Sequence, residues 1–293
     1  MTTITIPDAE PLTMNWNPDA IMFLIYGASG TYKTPAVAQW PRPIIYIDTD
    51  NGMLSILSVF TDFTDIYRVE IKDRQESPSG YAGPIGWMTV ISVLKSIAET
   101  GCYGVRNKIF PKTVVLDTLS TASKYAMSHV LFKQNHVNNP QPTQQDWGLQ
   151  MSELDKALNY GISLPCHFVC VAHEQLAKEE VTGRGWIVPL VTGKMAFNID
   201  NRFSEVYHSK PTQAGADIKY QFETRGTPLI RAKSRMGVPP LITSFTDIKT
   251  RIAELNLKTS GAQQGQKGGT PTQQTVQQPS ATQQSGQTWG KQP

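Results

Sequence analysis

Short apolar runs alternate with segments of helical periodicity through most of this chain. That alternation predicts βαβ units and a mostly parallel sheet. The predicted strands are Ile21–Tyr26, Pro43–Ile47, Asp65–Ile71, Thr113–Leu116 and His167–Ala172. The predicted helices are Thr34–Gln39, Gly86–Glu99, Leu119–Lys133 and Asp146–Tyr160. In the last helix an apolar set at helical spacing is expected to face the core. Its members are Trp147, Met151, Leu154 and Leu158, and Tyr160 is a further candidate.

The last third of the chain has a different pattern. Three runs, Glu205–Ser209, Ile218–Glu223 and Leu229–Ala232, predict an antiparallel extension of the sheet. Residues 259–293 consist mainly of Gln, Gly, Thr, Ser and Pro, with almost no aliphatic and no acidic residues. Such a segment buries too little apolar surface to offset its ordering entropy, which predicts a disordered tail. We therefore divide the chain into an N-terminal extension (1–18), an α/β domain (19–258) and a tail (259–293).

The tail contains one large aromatic residue, Trp289. Two interpretations stay open at this point. Either Trp289 docks on a partner protein, or the tail serves only to keep the protein in solution.

The bulk properties exclude several classes of protein. The chain has 293 residues and a formal net charge of +3 at pH 7. This small charge does not indicate nucleic-acid binding, although local basic patches could still bind nucleic acid. No secretory leader pattern opens the chain, and no apolar run is long enough to cross a bilayer. Cys102, Cys166 and Cys170 lack metal-ligand spacing and are expected to be reduced. We expect a cytoplasmic protein.

A glycine-containing turn follows the first predicted strand and leads into a predicted helix. Its residues are Gly27, Ala28, Ser29, Gly30, Thr31, Tyr32, Lys33 and Thr34. Strand, glycine turn, Lys-Thr and helix together are typical of a phosphate-binding loop, whose backbone N–H groups surround anionic oxygens. We expect Lys33 to reach the β- and γ-phosphates of ATP and Thr34 to offer its hydroxyl to Mg²⁺.

The loop departs from the usual spacing at one position. Tyr32 stands where G-x-x-x-x-G-K-[ST] has its second glycine, and a side chain there strains the backbone or changes the path of the loop. Gly30 still allows a looser loop around phosphate. Pro35 fits the first turn of the helix, where its missing N–H would have no partner.

Acidic and polar side chains follow the later predicted strands. Asp48 and Asp50 come after the second strand, where ligands bind in open α/β sheets, and we favour Asp50 as the group that activates water. Asp117 ends the fourth strand and is expected to hold Mg²⁺, although the same residue could simply cap the next helix. His173 ends the fifth strand, where an imidazole could report the loss of the γ-phosphate. The other histidines have no comparable placement.

The order of these features along the chain resembles the RecA-like ATPase core: first the phosphate loop, then Asp50, Asp117 and His173. The chain is especially similar to small phage ATPases of the AAA family that act as single-strand-annealing or recombination proteins, over about residues 20–245. The resemblance implies a RecA-like P-loop NTPase core with catalytic residues Lys33, Asp50, Asp117 and His173. RecA-like proteins usually have Glu in the place of Asp50, and RecA itself has Gln in the place of His173.

Two later segments carry the same resemblance. They are Pro189–Lys194 followed by Phe203–Val206, and Thr224 through Ala232–Arg235. The resemblance implies a homo-oligomer, a ring or a filament, whose nucleotide sites receive a cation from the neighbouring subunit. Lys233 and Arg235 are the candidates for that cation. If the protein is phage-encoded, its compartment is the host cytoplasm.

RecA-like proteins bind single-stranded DNA through loops that follow the fourth and fifth strands. The second such loop here spans residues 176–192 and contains Lys178, Arg184 and Trp186 among glycines. Basic and aromatic side chains on one loop suit phosphate contact and base stacking, although Glu179 and Glu180 oppose the charge. The sequence thus predicts an ATP- and Mg²⁺-dependent protein acting on single-stranded DNA. A translocase or helicase on the same core and an ATP-dependent binding switch with little turnover remain alternatives.

Overall fold

A computed structural model describes residues 19–73, 83–138, 141–178, 183–193, 195–214 and 217–266. The ten strands of these residues are β1 (Met22–Gly27), β2 (Ile44–Asp48), β3 (Ile66–Glu70), β4 (Thr113–Asp117), β5 (His167–Lys178), β6 (Gly185–Pro189), β7 (Glu205–Ala214), β8 (Asp217–Glu223), β9 (Lys233–Ser234) and β10 (Leu241–Ile242). The helices are α1 (Lys33–Val37), α2 (Met53–Leu57), α3 (Gly86–Thr100), α4 (Leu119–Lys133), α5 (Gln144–Ile162), α6 (Met195–Asn198) and α7 (Phe245–Gln266). A 3₁₀ turn, Ile199–Arg202, follows α6.

The central sheet has the order β10-β8-β7-β1-β5-β4-β2-β3. Every neighbouring pair from β7 to β3 is parallel, whereas β8, β9 and β10 join by antiparallel pairing. The predicted fold class, an α/β core with a mostly parallel sheet and an antiparallel extension, is therefore confirmed. The carboxyl ends of β1, β2, β4 and β5 meet at one edge, since Gly27 pairs with His173 and Asp48 with Asp117.

Both faces of the sheet are covered by helices, which explains why its central strands read as continuous apolar runs rather than alternating ones. One apolar cluster packs α3, α4 and α5 against the sheet, with Trp87, Leu94 and Leu158 fully buried in it. The other packs α1, α2 and α7 on the opposite face. Among the described residues, the three cysteines are all buried and unpaired, as expected.

Three predictions need correction. Leu229–Ala232 is not a strand: only Ile230 makes an isolated bridge, to Ile187, and the strand β9 follows it. The predicted loop 176–192 contains strand residues, because β5 continues to Lys178 and β6 (Gly185–Pro189) pairs with it antiparallel. Trp147 does not face the core; it is exposed, and the buried positions of α5 include Asp146 and Gln150 instead.

The C-terminal boundary also differs from the prediction. Helix α7 continues to Gln266, so helical backbone extends into the segment predicted to be disordered from residue 259. The N-terminal extension, residues 1–18, and residues 267–293 with Trp289 lie outside the described residues. No helix within the described ranges has the length and apolar character needed to cross a membrane.

Candidate nucleotide-binding site

The phosphate loop occupies the turn between β1 and α1, at the edge where the parallel strands end. Residues 29–34 line a cavity of about 310 Å³ together with Asp50, Gly52, Asp117 and His173. Gly27 and Ala28 are not part of this lining. Gly27 instead allows close packing, because a Cβ atom there would lie 2.8 Å from the Ser209 carbonyl oxygen of β7.

Tyr32 adopts the backbone conformation that the loop would otherwise assign to glycine. Its φ is 67°, in the left-handed region, and Gly30 two residues earlier has φ 75°. The left-handed conformation costs a residue with a Cβ about 1–2 kcal/mol. The Tyr32 ring stacks on Tyr220 of β8, with ring centroids 5.1 Å apart and planes at 12°. An aromatic pair contributes about 0.5–1.5 kcal/mol beyond area burial, which is the same order as the backbone cost.

Lys33 is buried and folds back over its own loop. Its ammonium group donates to the Ala28 carbonyl oxygen at 2.5 Å and lies 3.4 Å from the Thr31 hydroxyl oxygen. Burial lowers the pKa of Lys33, and the carboxylates of Asp117, Glu174 and Asp50 oppose that shift. An ammonium ion held among loop oxygens in this way is placed to exchange them for phosphate oxygens.

Asp117 and Thr34 form the part of the site suited to a magnesium ion. Asp117 is buried at the end of β4, and neither carboxylate oxygen has a hydrogen-bond partner of normal geometry among the described residues. Burial raises the pKa of Asp117 to about 7, although the adjacent Thr34 hydroxyl and the Lys33 ammonium act in the opposite direction. A buried carboxylate without partners is costly unless a ligand satisfies it.

Gly52 packs closely against these two side chains. A Cβ atom at Gly52 would lie 2.7 Å from Asp117 Oδ2 and 3.4 Å from Thr34 Oγ1. A side chain at this position would therefore displace the carboxylate or the turn after β2. The Thr34 hydroxyl and the Asp117 carboxylate are hard oxygen donors of the kind that fit Mg²⁺, which binds proteins through one or two groups and keeps several waters.

The two acids after β2 have different environments. Asp48 is buried and accepts from the Arg68 guanidinium at 2.7 Å and from the Gly52 N–H at 3.0 Å. It therefore holds the β2 exit in place. Asp50 is about 43% exposed, lines the cavity, and lies 3.1 Å from His173 Nε2. Of the two acids, Asp50 lines the cavity and Asp48 does not, and the role of Asp50 toward water stays a prediction.

His173 is fixed by its backbone while its ring reaches into the cavity. Its N–H donates to the Ser120 hydroxyl at 2.9 Å, which ties the β5 exit to α4. The exits of β2 and β4 are tied in the same way, since Thr49 Oγ1 accepts from the Thr118 N–H at 2.9 Å. The structure thus brings Lys33, Asp50, Asp117 and His173 around one cavity, as the order of the motifs predicted.

The predicted DNA-contacting residues lie on the hairpin that β5 and β6 form beyond His173. Lys178 is exposed at the end of β5. Arg184 covers the Trp186 ring at 4.1 Å from its centroid, and Arg231 approaches the same ring at 5.6 Å. Arg184 also donates to the Pro228 carbonyl oxygen. Trp186 therefore packs within the protein and is not a free stacking platform in this conformation.

Lys233 and Arg235, the candidate cations, lie on and just after β9, which pairs with the first residues of β7. Neither lines the cavity of its own chain. The buried Glu205 carboxylate accepts from the Met236 N–H at 2.9 Å and so fixes this segment. Burial lowers the pKa of Lys233, with Arg235 and Arg231 acting in the same direction.

Sequence reasoning missed several residues that shape the site. Three of them belong to no sequence motif and contact residues that are distant in the sequence. They are Gly52, Ser209 and Tyr220. His208 was given no role, yet its ring lies between Glu174 (Nε2 to Oε2, 2.8 Å) and Glu223 (Nδ1 to Oε2, 3.0 Å). Only the pair Asn51-Gly52 offers a signal, because it is typical of a turn, and it does not indicate the close contact of Gly52 with Asp117.

A glycine-containing loop with Lys-Thr at the end of β1, opposite a strand-ending aspartate, defines a P-loop nucleotide-binding fold. Comparison with protein families matches residues 19–236 to an AAA domain, the family AAA_24. That match covers most of the chain, which therefore belongs to this AAA-domain family. A search of the curated proteins found no match to the chain.

Two solved structures illustrate what the fold is similar to. One is a KaiC-like protein from the hyperthermophilic archaeon Pyrococcus horikoshii OT3, with 9% identity and a TM-score of 0.40 over 70% of this chain and 77% of that one. The other is the flagellar accessory protein FlaH from Methanocaldococcus jannaschii, with 12% identity and a TM-score of 0.35 over 72% and 80%.

Proposed function

We propose that the protein is an ATPase that couples ATP binding and hydrolysis to single-stranded DNA in recombination or annealing. The observation that carries the ATPase half is the convergence of Lys33, Thr34, Asp50, Asp117 and His173 on one cavity. These residues come from four elements that are far apart in sequence. Two carboxylates, an ammonium group and an imidazole around one space suit a triphosphate better than an uncharged ligand.

In this proposal the phosphate loop binds and orients the triphosphate. Backbone N–H groups of residues 29–34 surround the β-phosphate, and Lys33 leaves the Ala28 carbonyl to neutralise the β- and γ-phosphates. Thr34 and Asp117 would hold Mg²⁺, which supplies positive charge to the phosphate oxygens when bound. Burial raises the pKa of Asp117 to about 7, and a cation bound beside the carboxylate would lower that pKa and favour the ionised form.

Asp50 orients the attacking water and accepts its proton. Its carboxylate is in the cavity and partly exposed, so water reaches it directly. The hydrogen bond to His173 holds the Asp50 carboxylate in place without ATP. A γ-phosphate beside the imidazole competes for that hydrogen bond, so His173 changes partner when the phosphate arrives or leaves.

One observation favours a second function, an ATP-dependent binding switch with little turnover. The Asp50 side chain is short and already paired with His173. If that pair persists with ATP bound, the water is poorly oriented and hydrolysis is slow. This switch would retain nucleotide affinity but show no stimulation of hydrolysis by DNA.

The DNA-binding part of the proposal is supported by the path of strand β5, which connects the cavity to the hairpin. Strand β5 carries His173 into the cavity and Lys178 to the exposed end of the hairpin, so one element joins the γ-phosphate region to the candidate DNA surface. Lys178 and Arg184 are suited to phosphate contacts. A homo-oligomer, ring or filament, with Lys233 and Arg235 reaching the neighbour's site, belongs to the same proposal.

Removing a single charge tests the DNA half. In the presence of Mg²⁺ and ATP, Lys178→Ala is expected to weaken binding to a fluorescein-labelled oligothymidine. It is also expected to make the slope of log K against log salt concentration less steep, by about the contribution of one phosphate contact. Fluorescence anisotropy at several salt concentrations measures both. Lys95→Ala, an exposed lysine paired with Glu99 on α3, is the matched control. Unchanged DNA affinity in both Lys178→Ala and Trp186→Ala would remove the hairpin from the proposal.

A further inference from the structure

At residue 32 the phosphate loop has a backbone conformation that favours glycine, but the residue there is a tyrosine. The backbone there is left-handed, with φ 67°, and the side chain is a tyrosine. Tyr32 precedes Lys33 directly and receives the hydrogen bond of the Ala36 N–H at 3.0 Å, the first bond of α1. Any change in its φ therefore moves both the backbone of Lys33 and the start of the helix.

The ring of Tyr220 is placed to hold this conformation. Tyr220 belongs to β8, in the antiparallel extension, and its ring lies almost parallel to that of Tyr32 at 5.1 Å between centroids. That separation is within the range of favourable aromatic stacking. Both residues border the same cavity.

Strand β7 of the same hairpin contacts the loop independently. The Ser209 hydroxyl donates to the Thr31 carbonyl oxygen at 2.5 Å. Gly27 lets the Ser209 backbone approach, as the 2.8 Å distance from a built Cβ shows. Three residues of the loop, 27, 31 and 32, thus meet the hairpin of β7 and β8.

We propose that Tyr220 is a positioning residue for the phosphate loop, holding Tyr32 in the left-handed backbone that nucleotide binding requires. This inference rests on the proposed nucleotide site and adds to it a structural substitute for the missing glycine. It predicts that the need for Tyr220 depends on the identity of residue 32, because a glycine adopts positive φ without help.

A double-mutant cycle measures this dependence. Isothermal titration calorimetry with Mg·ADP is carried out on the parent, Tyr220→Ala, Tyr32→Gly and the double variant. Tyr220→Ala is expected to lower affinity about threefold to tenfold in the parent background and less than about twofold in the Tyr32→Gly background. Tyr220→Phe keeps the stack and is expected to restore parental affinity. Ile218→Ala, an exposed residue on the same strand, is the matched control.

Each outcome is decisive. An equal loss in both backgrounds would show that Tyr220 contacts the nucleotide itself, and no loss in either would show that the stack is irrelevant; both overturn the inference. Thermal unfolding of each variant separates loss of binding from loss of fold, and Tyr220→Leu provides a second truncation if Tyr220→Ala does not fold. A parent protein that binds no Mg·ADP would instead contradict the proposed function.

Discussion

Gly52 shows how a residue without a functional group can shape the proposed magnesium site. The missing side chain lets the turn after β2 pack against Thr34 and Asp117, since an added Cβ would meet Asp117 Oδ2 at 2.7 Å. Because the nearest atom belongs to a buried carboxylate on a central strand, it has little freedom to move away. The site therefore depends on the absence of an atom as much as on the oxygens around it.

Gly52→Ala is expected to lower the affinity for Mg·ATP at least about tenfold, while affinity measured in EDTA changes little, since the methyl group would displace the Asp117 carboxylate that is proposed to hold the ion. Titration calorimetry with and without Mg²⁺ measures the difference. Gly148→Ala is the control, because a Cβ atom there meets nothing within 4 Å, and a helical glycine replaced by alanine gains about 1 kcal/mol. Equal affinities of the parent and Gly52→Ala for Mg·ATP would contradict this assignment.

At this scale the sequence predicted the residues that belong to local motifs and missed those that act across the fold. Lys33, Asp117 and His173 were recognisable because each follows or ends an apolar run. The pairing of Asp48 with Arg68 joins two strands, and the stack of Tyr32 on Tyr220 joins a loop to a hairpin. No spacing in the sequence records either contact.

Strand β5, with 12 residues, is the longest strand of the described residues, and it runs from the core to the surface. It starts at the buried His167, crosses the core, places His173 in the cavity and continues into the hairpin. Its first six residues were predictable from their apolar run. Its extension and the strand β6 were not, because polar residues, glycines and a proline there are equally typical of a loop.

His167 gives this strand a pH dependence. Its Nδ1 accepts from the Ile21 N–H at 3.3 Å, and burial lowers the pKa of His167 to about 4, with Asp19 opposing. An unfolded histidine titrates near 6.5, so between about pH 6.5 and 4 the unfolded chain binds more protons than the folded one. The contribution of His167 to the free energy of unfolding is present above pH 6.5 and falls as pH decreases, by about 3 kcal/mol at most.

His167→Asn removes the titration and keeps an acceptor for Ile21. We expect its free energy of unfolding to change less than that of the parent between pH 7 and pH 4.5. Urea unfolding followed by tryptophan fluorescence at a series of pH values measures both slopes. Identical slopes would show that His167 does not titrate differently in the folded and unfolded chains.

For the whole molecule, the nucleotide site is asymmetric. One side of the cavity is built by β1, β2, β4 and β5, whereas Lys233 and Arg235 lie elsewhere on the surface of the same chain. In the proposed homo-oligomer, a second copy supplies Lys233 and Arg235 to this site. The sequence predicted the core that holds the first half, but the position of β9 depends on its pairing with β7, which no local pattern encodes.

Mixing variants tests this division. Lys33→Ala and the double variant Lys233→Ala/Arg235→Ala are each expected to be inactive, because each lacks one half of every site. An equimolar mixture is expected to recover part of the parental ATP hydrolysis, since some interfaces then combine an intact loop with intact cations. A mixture as inactive as its components would place Lys233 and Arg235 outside the neighbour's site.

The most direct test of the account is phosphate release from Mg·ATP with and without single-stranded DNA, for the parent, Lys33→Ala and the control Lys95→Ala. We expect hydrolysis by the parent that rises when DNA is added, the same behaviour in Lys95→Ala, and loss of at least about a hundredfold in Lys33→Ala. A parent that is inactive under both conditions, or a Lys33→Ala variant that matches it, would contradict the account.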